Sequence, residues 1–309
     1  MLNIKPDGIY VDATFGRGGH ATAILERLNS KGRLLAFDQD PEAIEYGRRQ
    51  FVNDSRIEFE HCNFSQVERV IVEKGLNHRI DGVLMDLGVS SPQLDDAKRG
   101  FSFLRAGPLD MRMNPEQGIS AGQWLAKVEF VELVDVLRRF GEERFAKRIA
   151  SAIIEARDEK ARDEKSGDEK TGGKTFINDT GELADIIAAA IPVKEKHKHP
   201  ATRSFQAIRI YINQELESIE QGLRGAASVL SISGRLAVIS FHSLEDRIVK
   251  RFMRNLSSRP KFPEELPIIE SDEKPPYRLV GKPRVAGKAE IDKNPRARSA
   301  RLRVLERVL

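Results

Sequence analysis

The sequence has 309 residues, of which 40% are hydrophobic and 32% are charged, and its formal net charge is +4. This is an ordinary soluble composition, and the length allows two domains or one large domain with an insertion. The single cysteine excludes a disulfide framework and a cysteine metal cluster. No stretch approaches the roughly 20 apolar residues of a membrane span, and no signal-peptide pattern is present, so we expect a cytoplasmic protein without a membrane partner.

The first 90 residues alternate short apolar runs with amphipathic segments. Strands are predicted at 8–13, 33–37, 57–61 and 82–85, and the first three are each followed by a helical pattern. Asp40 and Pro41 are typical of the N-cap and first position of the second helix. This alternation predicts a parallel sheet with helices on both faces and ligands at the carboxyl ends of its strands.

The alternation stops near Leu104 and resumes after a long predicted helix from about Thr202 to Leu230. A strong strand follows at 234–241, and 277–280 with 301–308 suit a final antiparallel pair. We therefore predict an α/β, Rossmann-like protein with a mostly parallel seven-stranded sheet, interrupted by a helical insertion. The predicted bounds are 1–103 and 200–309 for the α/β domain and 104–199 for the insertion, which we expect to recognise the substrate.

A low-complexity stretch at 157–174 lies inside the insertion. The triplet Asp-Glu-Lys recurs in it at positions 158, 163 and 168, and it carries almost no apolar side chains. Such a segment cannot bury a core, so we expect a loop or a frayed extension of the preceding helix.

A glycine-rich turn follows the first predicted strand. Gly16, Gly18 and Ala21 match the dinucleotide-type pattern G-x-G-x-x-G/A. Asp38 ends the second strand about 20 residues later, where a carboxylate can accept hydrogen bonds from both ribose hydroxyls. The turn therefore predicts a nucleotide-like ligand, and the alternative is a tight turn that binds nothing.

Asp12 distinguishes between NAD and S-adenosylmethionine, the two cofactor classes that share such a turn. It matches the acidic residue that opens the methyltransferase loop D-x-[GAT]-x-G-x-G. A carboxylate here attracts the cationic donor S-adenosylmethionine and would repel the pyrophosphate of NAD. Asp12 favours S-adenosylmethionine as the cofactor, although a purely structural cap of the loop backbone stays open.

A polar segment follows the fourth strand, from Asp86 to Asp96. It contains Ser90, Ser91 and Gln93 around a glycine and a proline, at the edge of the sheet where ligands bind. This favours a polar pocket, with Asp86, Ser90 and Ser91 as candidate catalytic acceptors. The alternative is a surface turn stabilised by its own side chains.

The chain resembles a known family through motifs that extend from Pro6 to near the C-terminus. The motifs are FGRGGH at 15–20, DLGVSSPQLD at 86–95, RGFSF at 99–103, GPLDMRM at 107–113, HPATRSFQAIRI at 199–210, SFHSLEDR at 240–247 and NPRARS at 294–299. This set is similar to the bacterial ribosomal small subunit RNA methyltransferase H family. The resemblance implies a class I methyltransferase fold and N4-methylation of a cytidine in the decoding centre of 16S ribosomal RNA.

The resemblance also implies the residues that contact the methyl donor. They are Gly18, Gly19, His20, Asp38, Phe64, Asp86 and Gln93, with Phe64 against the adenine. The chain departs from the family in two ways: members usually carry a further segment before Leu2, and the Asp-Glu-Lys repeats look like an insertion. The missing segment before Leu2 puts the activity of this chain in doubt, whereas the Asp-Glu-Lys insertion does not.

Basic charge is concentrated near the C-terminus, where 243–309 carries 17 Lys and Arg against 10 Asp and Glu. This asymmetry favours a surface for a polyanion, and we expect Arg203, His242, Arg296 and Arg298 to contact the RNA. The alternatives are that His242 caps a helix and that the arginines pair with nearby acids.

The expected partner is the small ribosomal subunit, and the expected pathway is ribosome biogenesis. No metal site is predicted, because His197 and His199 have no third ligand nearby in the sequence. The sequence leaves the oligomeric state open, with a homodimer as one alternative. An NAD-dependent dehydrogenase and a non-catalytic RNA-binding protein remain rival functions.

Overall fold

A computed structural model describes residues 1–165, 177, 179–193, 199–259 and 274–309. The chain divides into two compact units. The sheet unit comprises Met1–Gly88 and Leu216–Leu309, and the helical unit comprises Val89–Glu215. The predicted boundaries are 103/104 and 199/200, whereas the chain passes between the two units at 88/89 and 215/216. The first boundary differs because 89–103 forms short helical turns without a strand.

The strands all belong to the sheet unit. They are β1 (Ile9–Asp12), β2 (Arg33–Asp38), β3 (Ile57–His61), β4 (Ile80–Asp86), β5 (Leu230–Ser240), β6 (Tyr277–Leu279), β7 (Arg284–Val285) and β8 (Arg301–Arg307). Their order is β3-β2-β1-β4-β5-β8-β6, and β7 pairs with β8. Strands β1 to β5 are mutually parallel, whereas β8 runs antiparallel to β5, β6 and β7.

The predicted mostly parallel sheet is confirmed, with one difference in strand number. Among the described residues seven strands form the continuous row, and Arg284–Val285 adds a two-residue eighth strand that pairs with β8. The strand order reverses direction at β1, which has β2 on one side and β4 on the other. Such a switch point opens a crevice at the carboxyl ends of these strands.

The helices follow the chain through both units. They are α1 (Gly19–Leu25), α2 (Pro41–Gln50), α3 (Val67–Glu73), α4 (Ser91–Asp95), α5 (Ala121–Leu125), α6 (Phe130–Gly141), α7 (Ala146–Lys165), α8 (Thr180–Ala190), α9 (Thr202–Ile212), α10 (Glu215–Ser228), α11 (Ser243–Ser257) and α12 (Lys288–Lys293). Short 3₁₀ helices occupy Phe64–Gln66, Ala97–Arg99 and Pro295–Ser299. Among the described residues, no helix is both long and apolar enough to cross a membrane.

Two apolar layers cover the two faces of the sheet, as the strand alternation requires. Val11, Leu35 and Val83 pack with α3, α10 and α11 on one face. Their chain neighbours Tyr10, Leu34 and Leu84 pack with α1 and α2 on the other face. Successive side chains of a strand point to opposite faces, so strands covered on both sides read as nearly continuous apolar runs.

The low-complexity stretch is helical for its first nine residues, so the part of the predicted loop at 157–165 is instead an extension of the preceding helix, the other alternative for this stretch. Helix α7 continues to Lys165, since Ala, Glu, Lys and Arg are strong helix formers. Arg157 donates a hydrogen bond to the Val128 carbonyl at 2.8 Å, and Lys160 pairs with Glu182. The rest of the predicted loop, 166–174, lies outside the described residues.

The long helix predicted from Thr202 to Leu230 is two helices, α9 and α10, separated at Asn213 and Gln214. The Asn213 side chain donates to the Met111 carbonyl at 2.7 Å and accepts from the Met113 N–H at 2.7 Å. Gln214 adopts a left-handed φ of 49°. The helix ends because the Asn213 amide binds a loop 100 residues away along the chain, a contact that periodicity cannot reveal.

Candidate methyl-donor site

The glycine turn joins β1 to α1 at the switch point of the sheet. Gly16 and Gly18 have left-handed φ values of 56° and 77°, which favour glycine. A Cβ on Gly18 would lie 2.9 Å from the Phe15 ring, whereas a Cβ on Gly19 would meet nothing within 4 Å. Gly18 is therefore required by the turn itself, and Gly19 leaves the backbone open to a ligand.

Asp38 ends β2 beside this turn. Its carboxylate accepts the Gly16 N–H at 2.8 Å and the Asp40 N–H at 2.9 Å. Burial raises the pKa of Asp38 to about 6. Each carboxylate oxygen has a second lone pair, so the group that shapes the turn retains capacity for ribose hydroxyls.

Asp12 ends β1 and is fully buried. One oxygen, Oδ1, accepts the Thr14 N–H at 3.2 Å, and the other, Oδ2, has no hydrogen-bond partner among the described residues. Burial raises the pKa of Asp12 to about 7. The structure thus places one oxygen in the structural cap, while the other is a buried polar atom that calls for a polar or cationic ligand.

Asp86 ends β4, the neighbour of β1. Its Oδ2 lies 3.4 Å from Nε2 of His20, and its Oδ1 has no hydrogen-bond partner among the described residues. The contact with Asp86 raises the pKa of His20. The backbone N–H of Asp86 donates to Oγ1 of Thr14 at 2.6 Å, a contact that sequence reasoning missed. The one sequence signal related to this contact is the Asp-x-Thr spacing at 12–14.

Phe64 follows β3 and opens a 3₁₀ helix. Its half-buried ring lies against Gly222, where a Cβ would stand 2.6 Å from the ring. The preceding Asn63 donates to Oε1 of Gln39 at 2.7 Å, and Gln39 directly follows Asp38. Asn63 and Gln39 therefore tie the end of β3 to the end of β2, and no sequence signal beyond their places after strands pointed to them.

A comparison with protein families identifies the family of the chain. The model described as the MraW methylase family matches residues 1–308. The chain belongs to the MraW methylase family. It is therefore an S-adenosylmethionine-dependent RNA methyltransferase, which excludes the dehydrogenase and the non-catalytic alternatives.

Solved structures similar to this MraW-family chain include three methylases at low identity. A proposed rRNA methylase from Clostridium thermocellum is 10% identical, with a TM-score of 0.43 and coverage of 99% of this chain and 89% of that chain. An rRNA methylase from Streptococcus thermophilus is 12% identical, with a TM-score of 0.39 and coverage of 99% and 90%. A proposed methyltransferase from Streptococcus mutans, solved with S-adenosylhomocysteine, is 12% identical, with a TM-score of 0.35 and coverage of 99% and 91%.

The residues of this site in the MraW-family chain fit S-adenosylmethionine. Gly19 leaves room for a close approach to the backbone, and Asp12 presents a buried oxygen without a partner. The donor carries a sulfonium and an ammonium group, and both are attracted by carboxylates. Asp12 and Asp38 would hold these cationic and ribose groups at the ends of two neighbouring strands.

Three further predicted residues lie in the helical unit of the MraW-family protein. Ser90 is the N-cap of α4, and its N–H donates to Oε1 of Gln93 at 2.9 Å in a capping box. Ser91 is the first residue of the helix, and Gln93 is buried. Ser90 and Gln93 thus stabilise the start of α4, and their roles toward the reaction and the donor stay predictions.

His242, predicted to contact RNA, caps α11 in the sheet unit. Its Nδ1 accepts the Glu245 N–H at 3.4 Å, and the buried Glu245 carboxylate accepts the Phe241 N–H at 2.7 Å. This geometry corresponds to the alternative in which His242 caps a helix. Contact of the same ring with RNA stays a prediction.

The arginines of the C-terminal region divide into two groups. Arg301 and Arg303, on β8, donate to the carboxylate of Asp246 at 3.0 and 2.7 Å. Burial opposes ionisation of Asp246, but the bonds from these arginines outweigh it and lower its pKa. Arg296 and Arg298 lie in the 3₁₀ helix before β8 and are exposed. Arg301 and Arg303 are therefore held by Asp246 within the sheet unit, and not by Glu290, Asp292 or Glu306, the acids that the sequence suggested.

Proposed function

We propose that this MraW-family protein methylates N4 of a cytidine in the decoding centre of 16S ribosomal RNA, within the small ribosomal subunit. The observation that carries the proposal is the cluster of Asp12, His20 and Asp86 beside the glycine turn, which presents two carboxyl oxygens without partners among the described residues. The specific base and its position come from the resemblance of the sequence motifs.

Methylation of cytosine N4 has two requirements that the protein must meet. The lone pair of cytosine N4 is delocalised into the ring, so the amine must be aligned with the electrophile and must lose a proton. When bound, S-adenosylmethionine supplies an electrophilic methyl group. Alignment of two reactants contributes several kcal/mol to such a reaction.

Asp86 has the properties of the group that holds the amine. Its free Oδ1 accepts a hydrogen bond from an N–H, and His20 fixes the other oxygen. When a carboxylate accepts a hydrogen bond from the N–H, it fixes the orientation of the amine and therefore the direction of the nitrogen lone pair. N4 gains the methyl group and loses one of its two protons, and the Asp86 carboxylate can accept that proton as positive charge develops on nitrogen.

Ser90 and Ser91 remain predicted acceptors, but the local bonds distinguish them from Asp86. The Ser90 hydroxyl already takes part in the capping box of α4. We infer that Asp86 is the principal acceptor and that the helical unit, Val89–Glu215, recognises the RNA. A cytoplasmic location and a homodimer stay predictions.

The test is nucleoside mapping. The protein is incubated with methyl-labelled S-adenosylmethionine and small subunits isolated from cells that lack this activity. Digestion should yield N4-methylcytidine from one position of the decoding centre, and Asp86→Asn should reduce its rate of formation. Label in another nucleoside, or in no nucleoside, would contradict the proposal.

A further inference from the structure

Helix α11 of the sheet unit carries a row of basic side chains, here called the basic stripe, which consists of Arg247, Lys250, Arg251 and Arg254. All four residues are exposed. Their spacing of three, four and seven residues places them on one face of an α-helix. We propose that the basic stripe binds the phosphate backbone of the RNA substrate. The inference rests on the proposed function, since it assumes an RNA substrate.

The opposite face of α11 is anchored in the core of the sheet unit. Val249 and Met253 are buried, and Ile248 and Phe252 pack against the same apolar cluster. The helix is therefore held against the sheet, and the basic stripe faces solvent on a fixed backbone. A preorganised surface loses little conformational freedom when a ligand binds.

The protein neutralises the basic stripe only in part. Arg251 pairs with Glu220 of α10 at 3.0 Å, and both side chains of this pair are well exposed, so water screens the interaction. Arg247 makes a contact of its own within the chain. Lys250 and Arg254 have no ion-pair partner among the described residues. We therefore expect Lys250 and Arg254 to make the principal phosphate contacts.

The basic stripe is unfavourable for the helix itself. The sequence has no Asp or Glu from 247 to 259, and the pairs 247/251 and 250/254 place like charges four residues apart. Such pairs repel each other on a helix surface. The helix dipole favours Arg254, which lies in the last turn, but it gives no reason for Lys250 in the middle of the helix. A local conflict of this kind points to a ligand, here one that supplies negative charge.

The position of α11 connects the basic stripe with the reaction site of the same unit. Strand β5 ends at Ser240 beside the end of β4, where Asp86 lies, because the two strands are parallel neighbours. Helix α11 begins at Ser243, and from there to Arg254 it rises by roughly 17 Å. An RNA backbone that lies along α11 would therefore lead to the edge of the sheet at which the target base must enter.

Salt dependence tests the phosphate contacts. Lys250→Gln/Arg254→Gln should bind protein-free 16S ribosomal RNA about tenfold more weakly at 0.1 M salt, and its log–log salt slope should fall by about 0.7–0.9 for each lost contact. Phosphate contacts do not read the base sequence, so the affinity for an unrelated RNA of equal length should fall by the same factor. Filter binding at several salt concentrations measures both effects.

Two control variants match this change. Lys31→Gln/Arg79→Gln removes one lysine and one arginine from exposed positions of the sheet unit outside the basic stripe, and it should keep wild-type affinity and slope. Lys250→Arg/Arg254→Lys keeps both charges in the stripe and should retain most of the affinity. Melting temperature and S-adenosylmethionine affinity should stay at wild-type values in every variant, because all the replaced side chains are exposed.

The outcomes separate this inference from the proposed function. Wild-type affinity and slope in a folded Lys250→Gln/Arg254→Gln protein would overturn the basic stripe as an RNA site, and so would an equal loss in Lys31→Gln/Arg79→Gln. Weaker binding to small subunits with unchanged binding to free RNA would assign the stripe to a ribosomal protein, and would also overturn it. Nucleoside mapping that finds another methylated base refutes the proposed function but leaves these binding measurements valid.

Discussion

The hydroxyl of Thr14 accepts a hydrogen bond from the backbone N–H of Asp86 at 2.6 Å. The Thr14 N–H in turn donates to Oδ1 of Asp12 at 3.2 Å. Asp12 and Asp86 end the adjacent strands β1 and β4. One residue of the glycine turn therefore positions both carboxylates whose second oxygens lack partners among the described residues.

We expect Thr14→Val to lower both stability and activity. Valine keeps the shape but leaves the Asp86 N–H without its acceptor, which costs about 1–3 kcal/mol of unfolding free energy. Displacement of Asp86 should lower the single-turnover rate more than it weakens donor binding. Urea denaturation and rapid-quench methyl transfer measure the two effects.

Thr14→Ser is the matched control for this position. It retains the hydroxyl and should recover most of the rate lost in the valine variant. Equal rates for the wild type, serine and valine proteins would show that the hydroxyl does not position Asp86.

Asp12→Asn should stabilise the ligand-free protein at pH 8. The folded-state pKa of about 7 lies above the ordinary value of 3.8, so the wild type loses stability as pH rises between these values. The amide carries no charge and escapes that loss, which amounts to a few kcal/mol at most. Melting temperatures should therefore differ at pH 8 and converge near pH 4.

The same variant should bind S-adenosylmethionine more weakly, because the buried oxygen no longer offers a charge to the donor. Wild-type donor affinity should fall as pH drops below about 7, and the asparagine protein should lose this part of the pH dependence. Titration calorimetry at pH 6, 7 and 8 measures it. Parallel pH profiles in the two proteins would remove Asp12 from the donor site.

Asp38→Ala should weaken donor binding by roughly 1.5–3 kcal/mol, the usual contribution of a hydrogen bond to a charged acceptor. It should also destabilise the turn, since the Gly16 and Asp40 N–H groups lose their acceptor. Asp38→Asn keeps one carbonyl acceptor and should have a smaller effect on both. A donor dissociation constant that Asp38→Ala does not change would refute the ribose assignment.

Arg296→Gln/Arg298→Gln should weaken RNA binding and reduce its salt slope by about one per lost contact, with donor affinity unchanged. Arg303→Gln should do the reverse, because Arg303 pairs with Asp246 within the sheet unit. Filter binding at several salt concentrations, with thermal melts of the same samples, compares them. An unaltered slope in a folded Arg296→Gln/Arg298→Gln protein would exclude the two exposed arginines from the RNA surface.

Local sequence determined the elements of the fold and the type of ligand. Continuous apolar runs predicted the strands because a strand covered on both faces has no polar side. The glycines at 16 and 18 predicted the turn because the backbone there needs left-handed φ angles. Asp12, Asp38 and Asp86 stand at strand ends, which meet at one edge of a parallel sheet whatever the details of packing.

Tertiary structure decided which partner each side chain has. The Thr14 hydroxyl and the Asp86 N–H are 72 residues apart, and only the register of β1 with β4 joins them. Asp246 engages Arg301 and Arg303 because β8 runs antiparallel to β5, which places Arg301 opposite Ser240, just before the start of α11. Ionic and hydrogen-bond partners depend on distances of a few ångströms between remote segments, and such distances exist only once the sheet has formed.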